Sequence, residues 1–187
     1  STLAAECGVR VFCPAYRLAP EHPYPAALED ALTAHEYLLA KGYAPEHISL
    51  CGESAGGGLC YALCLKLKEK GMAQPASVIA ISPWVDLTAS GESYETNRDA
   101  DVSLNEALLS AFTDNYTNDR TDPFASPLLA DLTGLPPSLI FAGGDEILLS
   151  DAEQMHKKLL AARCKSHLVV TPERWHAYVL YCLEEDK

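Results

Sequence analysis

The stretch His47-Ile48-Ser49-Leu50-Cys51-Gly52-Glu53-Ser54-Ala55-Gly56 runs a short β-like segment into a Gly-x-Ser-x-Gly turn, and an apolar, helix-periodic segment follows. A serine in such a turn sits on a strained strand-to-helix bend. The flanking glycines relieve backbone crowding, and the hydroxyl points into a site instead of a core. Ser54 is therefore a candidate nucleophile. The helix that starts at Ala55 places its first N–H groups beneath the reacting oxygen, and the Ala55 N–H is the candidate oxyanion donor.

Working outward, Leu59, Cys60, Leu63, Cys64 and Leu67 step at three and four, which predicts an amphipathic helix ending in a Lys-rich turn and Gly71. Upstream, Leu28, Ala31, Leu32, His35, Leu38 and Leu39 predict a second helix closed by Gly42, and Ala152, Met155, His156, Leu159 and Leu160 a third. Short apolar runs lie between them: Val9 to Ala15, Ile48 to Cys51, Val78 to Ser82, Ser138 to Ala142 and His167 to Val170. Strands alternating with helices predict an α/β fold, a mostly parallel sheet with helices on both faces. Residues 88–137 break this rhythm with polar loops, a helical candidate at Glu106 to Phe112 and the turn signals Asp122-Pro123, Ser126-Pro127 and Pro136-Pro137. They read as a cap or insertion over a site, or as a long crossover with one helix. No internal repeat divides the chain, so residues 1–187 are expected to form one domain.

Composition narrows the function classes. Fourteen Lys and Arg against 26 Asp and Glu give a formal net charge of -12, which repels phosphate-rich partners and excludes a nucleic-acid binder. No apolar run approaches the roughly 20 residues needed to span a bilayer. Seven cysteines, at 7, 13, 51, 60, 64, 164 and 182, fall in apolar patterns without a Cys-x-x-Cys pair. They read as reduced, buried structural thiols, which favours a cytoplasmic setting over a secreted one and gives no zinc site. The chain opens at Ser1 inside a plausible helix end, Thr2 to Glu6, which reads as a cut, so the absence of a leader carries no information.

An activated serine needs a histidine to take its proton and a carboxylate to hold that imidazole in the right tautomer. Where a Gly-x-Ser-x-Gly turn between strand and helix carries the nucleophile, the chain order is Ser, acid, His, with acid and base just beyond strand ends. Asp145 follows Leu139-Ile140-Phe141-Ala142 through Gly143-Gly144, and His176 follows the strand ending at Val170 through a turn at Pro172. Asp86, just after Ser82-Pro83-Trp84-Val85, competes for the acid. Asp151 is explained by the first turn of a helix, where a carboxylate complements the dipole. His156 and His167 belong to a helix face and a strand, and His22, His35 and His47 precede Ser54.

With these residues in place the chain resembles the bacterial hormone-sensitive-lipase-like branch of the α/β-hydrolases, a group of serine carboxylesterases. The landmarks are Tyr16-Arg17-Leu18-Ala19-Pro20-Glu21-His22 with Pro23 to Asp30, Gly52 to Gly58, and Ser82-Pro83-Trp84-Val85-Asp86-Leu87. Further on stand Ser126-Pro127-Leu128, Leu135-Pro136-Pro137, Gly143 to Asp151 and Trp175-His176-Ala177. The resemblance implies an α/β-hydrolase fold with Ser54 as nucleophile, Asp145 as acid and His176 as base, and makes Asp86 structural. It implies hydrolysis of small-molecule carboxylic esters of short or medium acyl chain through an acyl-enzyme on Ser54, with no metal or organic cofactor, and a homodimer built on the last strand and helix. The family's His-Gly-Gly-Gly loop, which supplies most of the oxyanion hole, has no counterpart here, leaving Ala55 as the donor and the first strands of the sheet unaccounted for. Three other readings share these residues: an amidase, a non-catalytic ligand-binding relative like the related plant hormone receptors, and an inactive fragment. Arg17 and Glu21 are expected to pair and anchor the loop after the first strand.

Overall fold

The computed structural model describes residues 2–181. Ser1, Cys182 and the end of the expected apolar segment from Tyr178 to Leu183 lie outside the described residues. Four of the apolar runs are strands: β1 (Ser49–Glu53), β2 (Ser77–Ile81), β3 (Ser138–Gly143) and β4 (Ser166–Thr171). They pair in parallel in the order β1-β2-β3-β4, with Cys51 opposite Ile79, Ile79 opposite Leu139, and Leu139 opposite His167. The helices are α1 (Thr2–Cys7), α2 (Ala26–Ala40), α3 (Ala55–Glu69), α4 (Ser93–Thr96), α5 (Glu106–Tyr116) and α6 (Leu149–Ala161).

Strand order that follows chain order has a consequence. Crossovers between parallel strands are right-handed, so an order that never reverses returns its helices to one side. Accordingly α3 and α6 share a face. Tyr61, Cys64 and Leu65 of α3 and Ala152, Met155 and Leu159 of α6 close over Val78, Ala80, Ile140 and Ala142. Each fully buried aliphatic residue in this layer contributes about 1.5–3 kcal/mol relative to exposure. The opposite row, including Cys51, Ile79, Leu139, Phe141 and Val169, remains partly or fully exposed, so among the described residues the expected helix cover lies on one face. The helix α2 packs Leu28, with Ala31 and Leu32, on the outer side of α3 against Leu63 and Leu67. Being covered on two sides explains why α3 is apolar nearly all round.

The expected strand from Val9 to Ala15 does not form. A strand needs a neighbour's ladder, and β1 is the last member of the sheet on that side. Val9, Val11 and Phe12 are about half exposed, and Phe12 stacks on Tyr37 of α2 instead. Cysteines also depart from the expectation: Cys64 and Cys164 are buried, but Cys7, Cys13 and Cys51 are exposed, all as free thiols. Arg17 pairs with Asp30 at 2.8 Å and Glu29 at 3.0 Å, not with Glu21. Those acids belong to the first turns of α2, so the ion pairs tie the segment after Tyr16 to that helix.

Residues 82–137, between β2 and β3, carry α4, α5 and a helical turn at Pro127–Leu129. Trp84, Leu87, Tyr94, Leu109 and Ala125 from this connection pack with Ile147 and Leu148 into a second apolar cluster above the carboxyl ends of the strands.

Candidate active site

Every strand of the sheet delivers something to its carboxyl edge, the rim on which sites of open parallel sheets form. After β1 comes Ser54, held at φ 53° and ψ −121°. A non-glycine residue there is in a sparsely populated, strained region, and such strain concentrates at functional turns. The surroundings over-determine the turn. The Ser54 N–H donates to Ile81 O at 2.9 Å, and Ser54 O accepts from Gly57 N at 3.0 Å and Trp84 N at 3.0 Å. Gly52 is required sterically, because a Cβ there would lie 2.2 Å from Gly56 O. Ala55 opens α3, where first-turn N–H groups have no acceptor inside the helix. Ser54 and Ala55 both line one cavity of about 490 Å³.

After β3 the chain turns through Gly143 and Gly144 and presents two adjacent carboxylates. The structure brings Glu146, not Asp145, to the histidine. Glu146 Oε2 lies 3.0 Å from His176 Nδ1, and Glu146 is fully buried. Its Oε1 accepts the Gly143 N–H at 3.1 Å. Burial pushes the Glu146 carboxyl above its ordinary value, while contacts from His176, Ser82 and the Gly143 N–H act the other way. Asp145 is half-buried and engages the base segment through its backbone, its N–H donating to Arg174 O at 3.0 Å. The carboxylate that meets the histidine is thus Glu146, where Asp145 was expected: the backbone bond to Arg174 fixes Asp145 at the seam between the two loops, and the next residue turns inward beside the buried Ile147 and Leu148. The sequence sets two carboxylates side by side. The signal for the second was its place directly before an apolar pair that the interior takes up.

After β4, His176 is 8% exposed, and its partner segment is pinned by Ala177 N donating to Ser82 Oγ at 2.9 Å. Gly143 permits this approach, since a Cβ on it would meet Arg174 O at 2.2 Å. With Glu146 ionised the carboxylate can only accept, an arrangement that holds the His176 N–H on Nδ1 and leaves the lone pair to Nε2. Nε2 lies 3.9 Å from Glu53 Oε1, on the residue preceding Ser54. Ser54 Oγ makes no side-chain hydrogen bond among the described residues, and catalytic contacts are commonly loose before substrate binds.

A buried polar frame supports this rim. Asp151 Oδ2 accepts the Val85 and Asp86 N–H groups, both at 2.9 Å, and its Oδ1 lies 3.1 Å from Tyr94 OH. Burial, with Asp86 beside it, pushes the Asp151 carboxyl up to about 8 against those donors. Burial would also raise Asp86, but the Ser90 and Thr88 hydroxyls and N–H groups outweigh it and hold that carboxyl low. Both acids are structural. Trp84, Leu87, Leu104, Leu109, Phe112 and Tyr116 give the cavity a mostly apolar wall, and Tyr16 to Pro20 also line it.

A strained Gly-x-Ser-x-Gly turn and a carboxylate-paired histidine therefore stand on the carboxyl edge of a parallel α/β sheet. The chain belongs to the α/β-hydrolase family: the family described as alpha/beta hydrolase fold matches residues 1–180. Within it the likeness runs to the hormone-sensitive-lipase branch. A solved esterase from the bacterial hormone-sensitive lipase family superposes with a TM-score of 0.93 at 42% identity, covering 95% of this chain and 61% of that one. An acetyl-hydrolase of Streptomyces hygroscopicus is 38% identical over 183 residues, which are 97% of this chain and 61% of that protein. An esterase of Acinetobacter venetianus is 36% identical over 182 residues, or 96% and 60%. The chain therefore spans about three fifths of the length of the relatives it matches. No helix among the described residues is long and apolar enough to cross a membrane.

Proposed function

We propose that the protein hydrolyses carboxylic esters of short or medium acyl chain. The observation that carries this reading is the buried Glu146–His176 pair, 3.0 Å long, on the same sheet edge as the strained serine turn. Ser54 Oγ attacks the ester carbonyl while His176 Nε2 takes its proton. The negative charge that develops on the carbonyl oxygen falls beside the Ala55 N–H, and Glu146 stabilises the imidazolium that forms. His176 then gives the proton to the leaving alcohol. Water, activated by the same imidazole, cleaves the acyl-enzyme and releases the acid.

The cavity supports the substrate class. Its volume of about 490 Å³ is within the usual range for small-molecule sites, and its wall is mostly apolar, suited to an acyl chain and not to a charged group. Residues 88–137 serve as the cap over that chain, with α5 as its lining helix.

Hydrolysis of p-nitrophenyl butyrate by the purified protein tests the reading against Ser54→Ala. Removal of a serine nucleophile costs roughly 10⁶ in kcat where the triad carries the reaction. Equal rates for the two proteins overturn the assignment. Running butyramide in parallel separates ester from amide hydrolysis.

A further inference from the structure

The segment between β2 and β3 touches both the cavity and the acid, and one side chain joins the two contacts. Asp101 is 8% exposed. Its Oδ1 accepts the Ser103 N–H at 2.8 Å, the Ser103 hydroxyl at 2.7 Å and the Leu104 N–H at 3.0 Å. Its Oδ2 accepts the Ile147 N–H at 2.8 Å, next to Glu146. The first set fixes the turn into α5, which begins at its Asn105 cap and brings Leu109 and Phe112 to the cavity. Leu104 itself lines that cavity.

The acid loop is gripped from the same side by Asn97, whose Nδ2 donates to Gly144 O at 3.0 Å and to Glu146 O at 2.9 Å. Ser93 Oγ donates to Ile147 O at 2.6 Å and accepts from Ser150 N at 2.9 Å. Residues 93–104 are therefore one polar clamp on the loop that carries the acid, and Asp101 is the member whose other oxygen holds the cavity wall.

We propose that Asp101 is a positioning residue coupling the acyl cavity to the triad, so that an acyl chain filling the space beside Leu104 and Phe112 steadies the loop bearing Glu146. The proposal rests on Glu146 being the acid of the esterase reading. Its consequence is that acyl length acts on kcat as well as on KM: a chain long enough to press on the wall also orders the acid.

Asp101→Asn separates the two contacts, because the single oxygen of an amide can serve the Leu104 side or Ile147 but not both. The test measures kcat and KM for p-nitrophenyl acetate, butyrate and hexanoate, with amide hydrogen exchange of residues 143–150 in the absence and presence of hexanoate. In the parent, hexanoate slows exchange in 143–150, and kcat rises from acetate to hexanoate. In Asp101→Asn the slowing disappears and kcat for hexanoate falls about tenfold, toward the acetate value, as expected for loss of one charged hydrogen bond. KM keeps its dependence on chain length, a split that general destabilisation does not produce. Asp101→Glu, which retains both acceptor oxygens, keeps the slowing. Absence of slowing in the parent, or its persistence in Asp101→Asn, overturns the coupling. The parent exchange experiment needs no variant and no turnover, so failure of ester hydrolysis strikes the functional reading alone.

Discussion

Replacing Glu146 by Gln puts the assignment of the acid to its sharpest test. The carboxylate uses both oxygens as acceptors, one for His176 Nδ1 at 3.0 Å and one for the Gly143 N–H at 3.1 Å. A glutamine has one oxygen and one NH₂, and the site is fully buried, so no solvent relieves the mismatch. If the oxygen stays on Gly143, the NH₂ faces Nδ1, drives the ring proton to Nε2 and leaves nothing to deprotonate Ser54. The wrong tautomer of a triad histidine costs about 10⁴ in kcat, or roughly 5.5 kcal/mol. If the amide turns over, it opposes the Gly143 N–H instead, and a buried unpaired donor costs about 1–3 kcal/mol of stability. Glu146→Gln therefore lowers kcat for p-nitrophenyl butyrate by between about 10² and 10⁴, with the greater loss where the fold is least disturbed. Asp145→Asn changes kcat by less than about threefold, since its side chain makes no contact with His176 and substitutions of that kind usually stay within about 0.5 kcal/mol. Steady-state kinetics on both variants, with thermal unfolding as the control for folding, decide between them. A large loss in Asp145→Asn with little change in Glu146→Gln refutes the reasoning.

Three further outcomes follow from the same structure. Asp151, raised from 3.8 to about 8, binds its proton more tightly in the native state than in the unfolded chain, so its contribution to stability falls as pH rises through that window. Urea unfolding across pH 4–8 should show the stability difference between parent and Asp151→Asn moving in favour of the variant as pH rises, and a flat difference refutes it. His35 is 2% exposed, with neither ring nitrogen partnered among the described residues, and burial holds its pKa low. A low folded pKa means stability is lost as pH falls below about 6.5, so His35→Leu should raise the melting temperature most at pH 5 and least at pH 8. Phe112 is half exposed at the cavity wall, and Phe112→Ala should shift kcat/KM toward acetate over hexanoate by a few-fold, because only the longer chain loses the wall contact, read from competition between the two esters.

The serine turn was legible because its constraints are local. Strand, glycine, serine and helix start occupy adjacent positions, and a backbone crowded enough to bring a Gly52 Cβ within 2.2 Å of Gly56 O admits few sequences. The place of His176 just beyond a strand end was legible from the turn at Pro172, and α2, α3 and α6 from their periodicity. Cover on both faces of the sheet was a less direct inference. Alternation of strands and helices predicts crossovers, but only a reversal of strand order sends helices to the second face, and order is a long-range property. The run from Val9 to Ala15 has strand composition and lacks the partner that would make it a strand. The polar frame of Asn97 with the buried Asp101 and Asp151 was illegible for a related reason. Asn97 and Asp101 are polar residues in a connection and Asp151 stands in the first turn of α6, and their partners, such as Ile147 and Val85, are backbone groups tens of positions away.

The choice between adjacent carboxylates shows where such readings lose resolution. A strand end fixes which loop supplies the acid, and it does so to within a residue or two. Which member of that loop turns inward depends on where the loop is held. Here the Asp145 N–H is committed to Arg174 O, the Glu146 carbonyl to Asn97, and the Ile147 N–H to Asp101. With three successive residues tied through their backbones, the side-chain directions are set, and Glu146 is the carboxylate left facing His176. Its burial then becomes part of the chemistry: a carboxylate removed from water and satisfied by the Gly143 N–H and the His176 Nδ1–H holds one tautomer without competition from solvent. The geometry of the acid is therefore a property of the connection between β2 and β3, which supplies two of those three ties, as much as of the strand that carries it.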